Sequence, residues 1–207
     1  MQNDEKKQAA VFLDRDGTIN EEVGYLDRPE KLCLIPGAAR AIRLINESGL
    51  KAIVVTNQSG VARGFFDEAL VAAVHARLQE FLQAEGAWID RFYYCPHHPT
   101  EGLGDYLRDC PCRKPAPGML LRAAEELALS LDDSYITGDT LKDIEAGARS
   151  GVRGVLVQTG YGGESAVTLA ASGGETTGAA ICHPAHIAAN LEEAVRWIIA
   201  DRGGAKR

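Results

Sequence analysis

Apolar residues along this chain switch between two periods. Short continuous runs, Ala10–Leu13, Ala52–Thr56, Phe92–Cys95, Ser134–Thr137 and Gly154–Val157, have the length of strands buried on both faces. Between them apolar residues return every three or four positions, over Ala38–Ser48, Asp67–Ala84, Gly118–Ala128 and Leu141–Ser150. Ile42 and Ile45, and Leu70, Val74, Leu78 and Leu82, mark such helical stripes. Alternation of this kind predicts an α/β fold with a doubly wound, mostly parallel sheet covered by helices on both faces. Residues 160–178, rich in Gly, Ser and Thr, read as an exposed loop. Ala179–Cys182 then forms a sixth, edge strand, and a last helix runs from about His186 to Ala200. Residues 9–200 make one domain on this reading, with no large cap and with flexible ends at 1–8 and 201–207.

Composition changes this picture little. The 207 residues are 45% hydrophobic and 25% charged, enough for one sizeable core. A net charge of −7 argues against nucleic acid or an anionic membrane as partner. No apolar run approaches the roughly 20 residues of a membrane span. The polar start Met1–Lys7 lacks the apolar centre of a signal peptide, so a cytoplasmic enzyme is expected. Five cysteines, an odd number, argue against a disulfide framework.

The candidate chemistry sits where the strands end. The first strand runs into Asp14 and Asp16, and Gly17-Thr18 turns the chain. Ligands of open α/β sheets bind beyond the carboxyl ends of the strands. There one carboxylate can hold a divalent metal and attack an electrophile while the other moves a proton. The second strand ends in Thr56-Asn57-Gln58-Ser59-Gly60, a hydroxyl and free N–H groups suited to a phosphate. Arg63 follows and reads as a solvated side chain. Arg113 and Lys114 precede a Pro-rich helix start and supply a forked and a point cation. Tyr135-Ile-Thr-Gly-Asp139-Thr-Leu-Lys-Asp143 brings two more carboxylates: Asp139 to complete a metal site with Asp14, and Asp143 to orient a metal-bound water or Lys114.

Cys95-Pro-His97-His98 and Cys110-Pro-Cys112 offer the four ligands of a closed zinc site. Cys95, His97, Cys110 and Cys112 are the expected set, with His98 the rival to His97. A structural Zn²⁺ there would fold the 95–112 loop and place Arg113-Lys114 beside it. Cys33 and Cys182 read as packing residues.

In this order, Asp-x-Asp, Thr, Lys and Gly-Asp-x-x-x-Asp resemble the haloacid-dehalogenase superfamily of phosphotransferases. The resemblance implies a Mg²⁺ ion on the Asp14 carboxylate, the Asp16 carbonyl and Asp139. Asp14 would attack phosphorus, forming an aspartyl-phosphate. Asp16 would protonate the leaving alkoxide and then activate water, with its pKa raised by an acidic neighbour. Thr56 and Lys114 would hold the phosphoryl oxygens. Asp-Arg-Asp-Gly-Thr-Ile-Asn, Gly24-Tyr25, Tyr-Tyr-Cys-Pro-His-His-Pro and Cys-Arg-Lys-Pro-Ala-Pro-Gly-Met narrow the likeness. They are similar to the heptose 1,7-bisphosphate phosphatases; histidinol-phosphate phosphatases share the aspartates and the zinc-type loop. The narrower resemblance implies a compact monomer that removes the 7-phosphate of a small sugar bisphosphate during the synthesis of nucleotide-activated heptose for lipopolysaccharide or surface glycans. Substrate contacts would come from Glu22, Tyr25, Asn57, Gln58, Ser59 and Arg113, with Arg113 on the distal phosphate. One departure stands out: these proteins often carry a lysine where this chain has Thr140. Lys142 would point elsewhere on its helix.

Overall fold

The computed structural model describes residues 7–171 and 182–204. Six parallel strands form one sheet in the order β3-β2-β1-β4-β5-β6. They are β1 (Ala10–Leu13), β2 (Lys51–Asn57), β3 (Arg91–Cys95), β4 (Tyr135–Gly138), β5 (Arg153–Val157) and β6 (His186–Ala188). Seven helices connect or flank them: α1 (Ala38–Glu47), α2 (Ser59–Ala62), α3 (Glu68–Ala84), α4 (Gly118–Glu126), α5 (Leu141–Arg149), α6 (Gly162–Ala171) and α7 (Leu191–Gly204).

Side-chain alternation in β1 explains the two layers. Val11 and Leu13 join Ile42, Ile45, Leu78, Leu82, Val195 and Ile198 in a core beneath α1, α3 and α7. Ala10 and Phe12 face the other way, onto Met119, Leu120 and Ala123 of α4 and Ala146 of α5. The strand order reverses direction at β1, between β2 and β4. A crevice opens at such a switch point, outside the carboxyl ends of the strands. Asp14 follows β1, Asp139 follows β4 and Thr56 is the last residue but one of β2.

The first five strands and the helices α1, α3, α4 and α5 match the sequence reading within two residues. The C-terminal third does not. Residues 162–171 are helical rather than loop, because Leu169 closes a small core with Ile144 and Leu156 that the polar composition concealed. The edge strand expected at Ala179–Cys182 falls mostly outside the described residues, and Cys182 itself is not in a strand. Instead β6 forms at His186–Ala188, paired with β5. The last helix therefore starts only at Leu191. It continues to Gly204, through positions read as a frayed tail, because Asp201 accepts the Tyr135 hydroxyl at 2.5 Å and pairs with Arg153. Gln8 is likewise tied down, donating to the Gly49 carbonyl at 2.9 Å.

Candidate active site and a cysteine-rich cluster

A cavity of about 250 Å³ occupies the crevice, lined by Asp14, Asp16, Thr56, Lys114, Asp139 and Asp143 on its inner side. Glu22, Tyr25, Asn57, Gln58, Ser59, Arg113 and Lys142 also line it. On the inner side Lys114 stands between the carboxylates of Asp14 and Asp143, and Arg15 lies against Asp16. Lys114 Nζ lies 2.8 Å from Asp14 Oδ1 and 2.6 Å from Asp143 Oδ1, with Lys114 only 3% and Asp143 0% exposed. Burial opposes charge on Lys114, but the two carboxylates outweigh it and raise its pKa. The Asp14 backbone N–H donates to Thr137 of β4, which sets the carboxylate at the mouth between β1 and β4. Asp14 Oδ1 also accepts the Arg15 N–H at 2.8 Å, so Oδ2 is the oxygen left for a ligand or an electrophile.

Asp14, Asp139 and Asp143 each present an oxygen within 4.8 Å of the others. Burial, together with Asp143 and Asp16, pushes Asp14 up to about 6 in spite of Lys114. Burial and the neighbouring Asp14 push Asp139 up to about 8. The cluster is short of positive charge, and its hard oxygen donors suit Mg²⁺. Local backbone makes room for it. Gly17 has φ of 78°, and a Cβ there would run into Asp139 Oδ2. A Cβ at Gly138 would run into the Asp143 carboxyl group.

Asp16 departs from expectation. Its carboxylate turns to Arg15, which is 1% exposed and bonds it through Nη2 at 2.8 Å and Nε at 3.2 Å. Asn20 and Gln58 add donors at 2.9 Å each. Burial pushes the Asp16 pKa up, but Arg15 and these donors more than offset it, and the carboxyl is held below the usual range rather than raised. Arg15, the residue between the two aspartates, is the functional side chain that the sequence reading missed. In an extended segment it would face away from both. The Arg15 carbonyl instead accepts the N–H groups of Thr18, Ile19 and Asn20, and that tight turn folds its side chain back.

The substrate-side residues sort themselves by what they already hold. The Asn57 amide exchanges two 3.0 Å bonds with the backbone of Lys114, so it clamps that lysine to β2. Gln58 bridges Asp16 and the Thr56 hydroxyl. Glu22 accepts the Gly24 N–H, and burial raises its pKa. Arg113 donates to the His97 carbonyl at 3.1 Å and faces the cavity. Arg63, half-buried, pairs with the exposed Glu101. Lys142, expected to point away, stands at the cavity mouth. Tyr161, also unforeseen, reaches in after β5, where its N–H donates to Asp139 Oδ2 at 2.8 Å. Nothing local in the sequence links it to an aspartate 22 residues away.

Beside Arg113, Cys95, His97, Cys110 and Cys112 converge, with their donor atoms within 4.8 Å of one another. His97 Nδ1 lies 3.7 Å from Cys95 Sγ and 3.8 Å from Cys112 Sγ. His98 turns away and accepts the N–H groups of Thr100 and Glu101, so geometry selects His97 between the two. Three thiols and an imidazole are the donor set of a closed zinc site. His97 Nε2 takes a 2.8 Å bond from Arg108, whose guanidinium can only donate. A metal on Nδ1 needs the opposite tautomer, so exposed Arg108 would swing off as the site fills. Cys33, read as a packing residue, is exposed.

A doubly wound sheet with paired aspartates after β1, a buried lysine before α4 and further carboxylates after β4 defines a class of hydrolase, and the comparisons agree. Residues 2–151 match the haloacid dehalogenase-like hydrolase family model, and residues 111–194 match a second, HAD-hydrolase-like model. The chain belongs to the haloacid dehalogenase-like hydrolases. It is 43% identical over 193 residues to the D-glycero-D-manno-heptose-1,7-bisphosphate 7-phosphatase of Thermosynechococcus vestitus, covering 91% of this chain and 94% of that one. It is also 43% identical to the D-glycero-beta-D-manno-heptose-1,7-bisphosphate 7-phosphatase of Pasteurella multocida, over 73% of this chain and 82% of that one. The crystal structure of a D,D-heptose 1,7-bisphosphate phosphatase from B. bronchiseptica, complexed with magnesium and phosphate, superposes with a TM-score of 0.80. It is 29% identical and covers 94% of this chain and 99% of that one.

Proposed function

We propose that this protein hydrolyses the 7-phosphate of D-glycero-D-manno-heptose 1,7-bisphosphate, as its relatives are named for doing. The observation that carries the substrate class is a cavity with cations at two depths. Lys114 stands among the carboxylates, and Arg113 and Lys142 stand in the same cavity outside any carboxylate pair among the described residues. A monophosphate needs only the inner one. A second phosphate at the far end of the sugar accounts for the outer two.

Asp14 Oδ2 attacks phosphorus, the bond to the sugar oxygen breaks, and the leaving alkoxide takes a proton from Asp16. Asp16 then removes a proton from water, whose oxygen attacks the aspartyl-phosphate and frees Asp14 and inorganic phosphate. Asp16 is ionised at rest, so the arriving phosphate dianion must raise its pKa by repulsion before it can act as the acid. Gln58 fixes that carboxylate, and Lys114 lies where it offsets charge as a dianion approaches Asp14. Asp14 and Asp139, with the Asp16 backbone carbonyl, would hold Mg²⁺, which would supply further charge neutralisation for the transferring group; Asp143 keeps its oxygens for Lys114 and Thr140. Cys95, His97, Cys110 and Cys112 would hold Zn²⁺ in a structural role, since four protein ligands leave no open position. The enzyme acts as a monomer in the cytoplasm, on a small molecule and not on nucleic acid or membrane.

Phosphate release with Mg²⁺ from both anomers of the heptose bisphosphate, beside histidinol phosphate and fructose 1,6-bisphosphate, tests the assignment. Preference for a heptose anomer supports it. Preference for histidinol phosphate keeps the chemistry and overturns the substrate. Asp14→Asn should abolish turnover in either case.

A further inference from the structure

We propose that Thr140 is a positioning residue for the phosphatase reaction, acting through Asp143 on Lys114. The role rests on the function proposed above and lies in a chain of contacts rather than in the cavity wall alone. Thr140 precedes α5, and its hydroxyl donates to Asp143 Oδ2 at 2.7 Å. Its backbone N–H donates to the same oxygen at 3.1 Å. With Oδ2 held twice, the carboxylate cannot rotate, and Oδ1 faces Lys114 Nζ at 2.6 Å. Lys114 in turn faces Asp14 Oδ1 at 2.8 Å. Gly138 is what lets Asp143 sit this close to β4, because any Cβ at 138 would collide with the carboxyl group.

Thr140 and Asp143 form the capping box of α5, and the same carboxylate also faces the buried ammonium, so the contact serves more than the helix. A residue that only capped α5 would act on the helix, and its removal would lower stability by the same route whatever Lys114 does. Here the hydroxyl donates to the very carboxylate that holds the buried ammonium. Among the described residues Lys114 has two carboxylate partners, and Thr140 holds the second oxygen of one of them with two bonds. Lys142, two residues on, stands at the mouth of the cavity.

The test uses the full chain with Mg²⁺ and compares wild type, Thr140→Val, Thr140→Ser, Lys114→Met and the Thr140→Val/Lys114→Met pair on the preferred ester and on p-nitrophenyl phosphate. Thr140→Val keeps the shape and one of the two bonds to Asp143. It should lower kcat about tenfold on both esters with KM within about twofold, since the loss falls on charge-offsetting in the transition state. Thr140→Ser should restore kcat to within about twofold, as it keeps the donor. In the Lys114→Met background, Thr140→Val should change the residual rate by less than about twofold, because the group it positions is gone. A fall in melting temperature accompanies either role and does not decide between them. A kcat for Thr140→Val equal to wild type, or a full loss persisting without Lys114, overturns the inference while leaving the phosphatase assignment intact. A wild type that releases phosphate from no ester overturns both.

Discussion

Replacing Lys114 by methionine removes the ammonium that Asp14 and Asp143 share while keeping the apolar stem. The three groups are buried together, Nζ 2.8 and 2.6 Å from the two oxygens, with Asp139 in the same cluster. Removing one partner of a buried ion pair costs about 3–5 kcal/mol, because the other charge is stranded out of water. Two carboxylates are stranded here, which places the loss near the upper end, about 5 kcal/mol at pH 7 with chelator present. Against a total stability of about 5–15 kcal/mol, that is a third or more of what holds the fold. Adding Asp143→Asn removes one stranded charge at constant shape and should return about half of the loss. Urea unfolding of wild type, both single variants and the pair, at pH 7 in EDTA, gives the four free energies. Turnover should fall by at least about 10²–10³-fold in Lys114→Met and should not return with the second change, because asparagine cannot replace the lost cation. Wild-type stability in Lys114→Met, or a pair less stable than Lys114→Met alone, would refute the reasoning that these charges depend on one another.

Three further outcomes follow from the site and its surroundings. His75 is buried against Phe92, ring centroids 4.6 Å apart, with Arg15 and Asp16 nearby, and burial pushes its pKa down to about 3. Its folded value lies below the unfolded one, so its contribution is full above about pH 6.5 and is lost as pH falls toward 3. By pH 5 the wild type should have lost about 2 kcal/mol that His75→Leu does not lose, a difference that denaturant midpoints at pH 7 and 5 will read; parallel curves would sink the idea. Cys110→Ala should lower bound zinc in elemental analysis and raise amide exchange over residues 96–111, whereas full zinc content would remove Cys110 from the ligand set. Arg113→Ala should raise KM for a bisphosphate about tenfold more than for a monophosphate, and equal losses on both would mean that it does not meet the distal group.

Much of the site was legible because its residues sit at strand ends, where apolar runs give way to acids and turns. Asp14, Thr56, Asp139 and Asp143 were marked by that change and Lys114 by the Pro-rich helix start, and the structure gathers them around one cavity. The Cys-x-His and Cys-x-Cys pairs were legible by donor chemistry, though the sequence left His98 as rival to His97. Rotamers decided what those residues do. Asn57 and Gln58 look like phosphate contacts in a turn, yet both spend their amides on neighbours. Residues 162–171 look like loop because composition says nothing about Leu169 finding Ile144 and Leu156.

The sequence alone determined the class of the molecule: strand–helix alternation sets the parallel sheet, and the strand-end acids, the lysine and the thiol pairs set the chemistry available. These are local properties, written in hydrophobic period and donor type. Tertiary structure alone decided the charge state and the contacts of each group. Arg15 turns back on Asp16 and lowers the pKa that its position next to Asp14 suggested would rise. Thr140 closes on Asp143, and Lys142 comes to the mouth. Burial and distance set those outcomes, and neither exists until segments more than a hundred residues apart pack around one crevice.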